Sequence, residues 1–89
     1  MSQMKPQRKA SAMLRVFRRG EKVLFDLKSR KTCKLNDVAA KIWVLCDGSH
    51  SLNDIVGIIA KEYDADRKTI ENDLKAFIEK LLSLDLVEM

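Results

Sequence analysis

Residues 34 to 48 read KLNDVAAKIWVLCDG, and the hydrophobic period changes inside this stretch. Up to Leu35 the apolar residues come in short runs, as in strands. From Asn36 onward Val38, Ile42 and Leu45 recur at helical spacing, with Trp43 and Cys46 alongside. Asn36 is a good N-cap, because its side-chain oxygen can accept from the free N–H groups of a first helical turn. Asp47-Gly48 then closes the helix, the glycine suiting a left-handed cap. The chain is therefore sheet before residue 36 and helix after it.

Upstream, Lys31 to Leu35 reads as a third strand, preceded by the polar turn Lys28-Ser29-Arg30. Val23-Leu24-Phe25 forms a second strand running to about Leu27. Leu14 and Val16 alternate with Arg15 and Phe17 in a first strand that ends at Gly20, where a hairpin turn is expected. Order begins near Met13. Residues 1 to 12 are polar and basic, contain the only proline, Pro6, and show no apolar period, so they read as a disordered basic tail.

Downstream, Ser51 is expected to cap a helix carrying Leu52, Ile55, Val56, Ile59 and Tyr63 that ends near Asp64. Asp66 is expected to cap a third, longer helix with Ile70, Leu74, Phe77, Ile78, Leu81 and Leu82 on its apolar side. The exit, Asp85 to Met89, can fold Leu86 or Val87 back onto the core. A three-stranded antiparallel sheet followed by three helices makes residues 13 to 89 one α+β domain, winged helix-turn-helix-like in order.

The composition, 46% hydrophobic and 34% charged over 89 residues, is that of one globular domain. No apolar run approaches the ~20 residues of a membrane span. No apolar stretch follows the N-terminal charges, so a cytoplasmic location without membrane association is expected. Cys33 and Cys46 then read as reduced thiols. With His50 the only histidine, their spacing matches no zinc or redox motif, and neither metal nor cofactor is expected. No paired-carboxylate pocket, phosphate loop or nucleophile–base pair is present, which argues against an enzyme.

The segment from Lys34 to Gly48 resembles the PqqD family, named for pyrroloquinoline quinone biosynthesis protein D. The resemblance is carried by Leu35-Asn36, the small residues Ala39 and Ala40, Ile42, and Cys46-Asp47-Gly48. Ile55-Val56, Asp73-Leu74 before Phe77, and Arg19-Gly20 before Val23-Leu24 are compatible with it. One departure is the second turn, Phe25 to Arg30, which lacks the proline-containing turn of members serving quinone synthesis.

The resemblance implies a recognition element for ribosomally made, modified peptides. Such a protein holds the leader segment of a precursor peptide and presents it to a modifying enzyme, often a radical S-adenosylmethionine enzyme. The leader adds as a strand to the third strand, beside the third helix. In this sequence that places the peptide site at Lys31, Thr32, Cys33, Lys34 and Leu35, facing Ile70, Asp73, Leu74, Phe77 and Ile78. The strand stretch lacks proline, so every residue can donate to an added strand. Asp73, Lys75 and Lys80 are expected to flank the groove. An open strand edge also allows association into a homodimer.

The rival reading is a winged-helix DNA-binding regulator. Residues 1 to 22 hold seven basic residues against Glu21 alone, whereas the rest of the chain holds ten basic and twelve acidic groups. The third helix balances Arg67, Lys68, Lys75 and Lys80 against Asp66, Glu71, Asp73 and Glu79, leaving no excess charge for phosphate. Nucleic acid is thus disfavoured, and the basic front end suits an acidic peptide better.

Overall fold

The computed structural model describes residues 4–89. Its elements run β1 (Gln7–Arg8), β2 (Ala12–Val16), β3 (Lys22–Asp26), β4 (Thr32–Leu35), α1 (Asp37–Leu45), α2 (Leu52–Tyr63), α3 (Arg67–Ser83) and β5 (Val87–Glu88). The antiparallel order β2-β3-β4 is the expected meander, and the three helices follow it. The helices cover one face of the sheet.

Both hairpin turns are closed by backbone that only special residues adopt easily. In the first, the Gly20 N–H donates to the Phe17 carbonyl at 2.8 Å, and Gly20 has φ +87°. In the second, Arg30 takes φ +63°. Asp26 holds that turn, accepting from the Ser29 hydroxyl at 2.7 Å and the Lys28 N–H at 3.2 Å. The Ser29 hydrogen bond, ahead of the backbone contacts, keeps the Asp26 carboxyl below its ordinary range.

The caps on α1 and α2 form as their residues dictate. The Asn36 side chain accepts from the Ala39 N–H at 2.8 Å. Ser51 and Asp54 make a reciprocal capping box, each bond 3.0 Å long, and the Ser51 N–H holds Asp54 low in pKa. Asp64 ends α2 in a left-handed conformation. Asp66 sits at the expected N-cap of α3, but its carboxylate accepts from the Thr69 hydroxyl at 3.3 Å and caps no backbone N–H.

The core gathers one stripe from each helix and the inner face of the sheet. Leu24, Ile42, Ile55, Ile59, Leu74 and Leu81 are essentially inaccessible, and Trp43, Val56 and Cys46 join them. Each such large side chain contributes roughly 1.5–3 kcal/mol by burial. Leu86 and Val87 close the core from the C-terminus, as expected of the exit segment.

The expectation of a disordered tail over residues 1 to 12 needs correction. Residues 1 to 3 lie outside the described residues, but from Met4 onward the segment is an arm bound to the helices. β1 pairs antiparallel with β5, the Arg8 N–H donates to the Cys46 carbonyl at 2.8 Å, and Pro6 is fully buried. The Pro6 carbonyl receives the Gly48 N–H at 3.0 Å, and the Arg8 guanidinium reaches the Trp43 carbonyl at 3.1 Å, at the end of α1. Lys9 pairs with Asp85, which raises the lysine and lowers the aspartate in pKa. The arm is held by main-chain bonds, one buried proline and charged contacts, none of which leaves an apolar period to read.

Candidate functional site

The β3–β4 ladder has a phase that decides which main-chain groups of β4 are free. The Asp26 N–H donates to the Lys31 carbonyl at 2.9 Å, and β3 and β4 pair Leu24 with Cys33 and Lys22 with Leu35. Along an antiparallel strand the hydrogen-bonding direction alternates residue by residue. Cys33 and Leu35 therefore bond to β3, while the N–H and C=O groups of Thr32 and Lys34 point away from it. β4 is an edge strand, so among the described residues these groups have no partner strand.

Two depressions border that edge. One lies beside the start of β4, lined by Lys31, Thr32 and Cys33 on one side and by Leu84 and Leu86 on the other. The second lies past its end, between Asn36, Val38, Ala39 and Ile42 of the α1 region and Ile70, Asp73 and Phe77 of α3. Residues just past the end of α3 line the first depression, and Ile70, Asp73 and Phe77 of α3 line the second. The candidate groove is the unpaired edge of β4 with these two depressions at its ends.

The ten residues marked in the sequence fall into two groups. Lys31, Thr32 and Lys34 are exposed along the edge, Cys33 is half-buried in the first depression, and exposed Asp73, half-buried Phe77 and buried Ile70 line the second. Leu74 has no exposed surface, and Ile78 and Leu35 retain only 4% and 9%. Leu74 and Ile78 lie in the core, and Ile70, at 5%, is scarcely more exposed. Ile70, Leu74, Ile78 and Leu81 together form the packing stripe of α3. Of the flanking charges only Asp73 lines a depression; Lys75 and Lys80 do not.

Sequence reading missed Asn36, Val38 and Ala39 as groove lining, and Leu84 and Leu86 at the other end. The signal for the first three was present, since an N-cap immediately after β4 fixes the first turn of α1 beside the strand end. Leu84 and Leu86 become visible only once α3 is known to return past β4.

The groove walls carry little polar chemistry. Among the described residues no group of three or more His, Cys, Asp or Glu side chains is placed to hold a metal ion. Burial pushes the Cys46 thiol up to about 12, so it stays protonated and unreactive. Asp47, held low in pKa chiefly by its hydrogen bond to His50 Nδ1 at 2.9 Å, belongs to the turn after α1. No helix among the described residues is long and apolar enough to cross a membrane. What the described residues present here is an unpaired strand edge with a depression at each end.

Comparisons with known proteins agree with this geometry. The structure of TbiB1 in complex with the TbiA(beta) leader peptide superposes with a TM-score of 0.78 at 29% identity, covering 92% of this chain and 94% of that one. A lasso peptide synthetase B1 complexed with its leader peptide matches with a TM-score of 0.79 at 25% identity, over 96% and 99% of the two chains. The solution structure of the PqqD truncation of Methylobacterium extorquens PqqCD, a stand-alone recognition element for ribosomally synthesized and modified peptides, matches with a TM-score of 0.78 at 28% identity, over 94% and 88%. Two curated relatives are PqqA binding proteins, from Methylococcus capsulatus (42% identical over 50 residues) and Rhodopseudomonas palustris (39% identical over 46 residues). The matched stretches span about half of this chain and about half the length of those relatives. The family model of coenzyme PQQ synthesis protein D (PqqD) matches residues 21–87, and this chain belongs to that family.

Proposed function

We propose that this protein binds the leader segment of a ribosomally made precursor peptide by strand addition to β4 and presents it to a modifying enzyme. The observation that carries the reading is the outward phase of Thr32 and Lys34 beside a depression that α3 lines. An added strand gains main-chain hydrogen bonds from the edge, and its alternate side chains reach toward the depression between α1 and α3. Cys33 and Phe77 offer them apolar surface, and Asp73 sets a preference for a basic residue nearby. Relatives named for binding PqqA, and neighbours holding leader peptides, support the same class of ligand.

In this reading the protein performs no chemistry. It raises the effective concentration of the precursor at a partner's active site, a radical S-adenosylmethionine enzyme being the expected type.

The test is an amide chemical-shift titration of labelled protein with PqqA and with the TbiA(beta) leader peptide, a short DNA duplex being run in parallel. Shifts concentrated at residues 31 to 35, Asp73 and Phe77 with at least one peptide, and an inert duplex at physiological salt, are expected. Silence with both peptides alongside salt-sensitive shifts with the duplex would overturn the assignment in favour of DNA binding.

A further inference from the structure

The sheet has a second open edge. Among the described residues β2 is bonded only to β3, and its phase follows from two bonds flanking the strand: Phe17 N–H to the Glu21 carbonyl and Leu27 N–H to the Ser11 carbonyl, both 2.8 Å. Residues 13, 15 and 17 therefore bond to β3, and the N–H and C=O groups of Leu14 and Val16 point outward. The side chains of these two residues face the helices, where an open depression lies between them and Val44 and Tyr63. Val16 is 61% exposed and Val44 52% exposed, although Val16 belongs to the inner face of the sheet. The helices stop short of covering this end of the sheet.

The charge around this edge is one-sided. Residues 12 to 34 hold eight basic residues against Glu21 and Asp26, whereas residues 36 to 89 hold six basic residues against eleven acidic ones. Near the depression Lys22 is taken by Asp37 at 2.7 Å and Lys41 by Glu62 at 3.5 Å. Glu21 lies 3.8 Å from Lys34. Arg15, on β2 itself, and Arg18 and Arg19, in the adjoining hairpin turn, have no ion-pair partner among the described residues. Two copies paired through β2 would set these arginines and Lys9 of each copy near one another, so the charges oppose self-association.

We infer that the β2 edge is a second strand-accepting site, and that its occupant is an extended acidic segment of a partner protein, the modifying enzyme. Main-chain pairing to Leu14 and Val16 would seat the segment, apolar side chains would fill the depression under Val44 and Tyr63, and carboxylates would meet Arg15, Arg18 and Arg19. Leader and enzyme would then extend opposite edges of one three-stranded sheet, four strand spacings or roughly 19 Å apart. The identity given to the occupant rests on the leader-binding reading, whereas the site itself does not.

The experiment titrates the labelled full chain with a peptide of alternating valine and glutamate, a valine–lysine peptide of equal length, and a single-stranded oligonucleotide. The expected result is shifts of Leu14, Val16, Val44 and Tyr63 with the glutamate peptide alone, weakened about fivefold or more by Arg18→Glu with Arg19→Glu, a pair of surface changes. Equal response to the lysine peptide, shifts confined to Thr32 and Lys34, concentration-dependent shifts at Leu14 and Val16 without any peptide, or the same shifts with oligonucleotide would overturn it. Failure of the leader reading would appear at residues 31 to 35 instead, so the two are read from different signals.

Discussion

Replacing Thr32 with proline tests the phase of the groove edge. Thr32 is the first residue of an edge strand and its N–H points away from β3, the position in a sheet where proline is best tolerated. The substitution leaves the β3–β4 ladder intact and removes one donor from the surface offered to a leader. One net main-chain hydrogen bond is worth about 1 kcal/mol, so leader affinity should fall by roughly five- to tenfold, and further where the ring obstructs the incoming strand. The control is Cys33→Pro, one residue along, whose N–H bonds to Leu24 inside the sheet. That change strands the Leu24 carbonyl and should cost about 1–3 kcal/mol of folding stability before ring strain is added. The assays are urea denaturation for both variants and calorimetric titration of folded Thr32→Pro with the peptide that binds the parent. A Thr32→Pro protein that unfolds as readily as Cys33→Pro would refute the ladder phase. A stable Thr32→Pro protein that binds at parental affinity would refute strand addition at β4.

Other substitutions separate groove from core. Phe77→Ala should weaken peptide binding more than it lowers stability, whereas Leu74→Ala, at a residue with no exposed surface, should lose about 2–5 kcal/mol of stability, both read by urea denaturation beside peptide titration. In a thiol-labelling time course on the native protein, half-exposed Cys33 should react and buried Cys46 should not until the chain unfolds. Gly48→Ala should destabilise by about 1–2 kcal/mol in thermal melts, because Gly48 has φ +78° and an added Cβ would press on the Gln7 amide oxygen. Urea midpoints should be flat in the neutral range and fall at both ends. Asp26, Asp47, Asp54 and Asp85 sit below their unfolded value of about 3.9, so their contribution is present above it and lost as pH falls through the folded values. Lys9 sits above its unfolded value of about 10.4, so its contribution is present below that pH and lost as pH rises through the folded value. A midpoint that rises between pH 5 and 3 would contradict this sign.

The elements with a strong local cause were legible in the sequence. Asn36 and Ser51 announce α1 and α2 because each can satisfy first-turn donors, and Gly20 announces the first hairpin because its φ is positive. Three strands and three helices follow from period alone. The arm from Met4 to Lys9 was not legible, since its order depends on carbonyls of Cys46 and Leu86 that are distant in sequence. The groove was half legible. An edge strand without proline can be read as open, but periodicity cannot tell Phe77 from Leu74, because both lie on the apolar side of α3. What distinguishes them is where β4 and α1 leave space, and that is a property of the assembled layers.

The treatment of strand edges bears on both sites. An unpaired edge invites association with any extended chain, and proteins blunt such edges by covering them, shortening them or charging them. This chain uses all three devices, and not uniformly. At the C-terminal strand β5, the arm supplies β1 as a partner and buries Pro6 beside it. At β2 and β4 the strands are only five and four residues long, and Arg15 and Lys34 stand on their outer faces. Charge discourages pairing with another basic sheet while leaving the main-chain groups of Leu14, Val16, Thr32 and Lys34 free to pair. A chain able to cover β5 with its own N-terminus has thus left uncovered the two edges that adjoin apolar depressions. An edge protected only by charge remains open to a strand of opposite charge, and that selectivity is what a recruiter of peptide and enzyme needs.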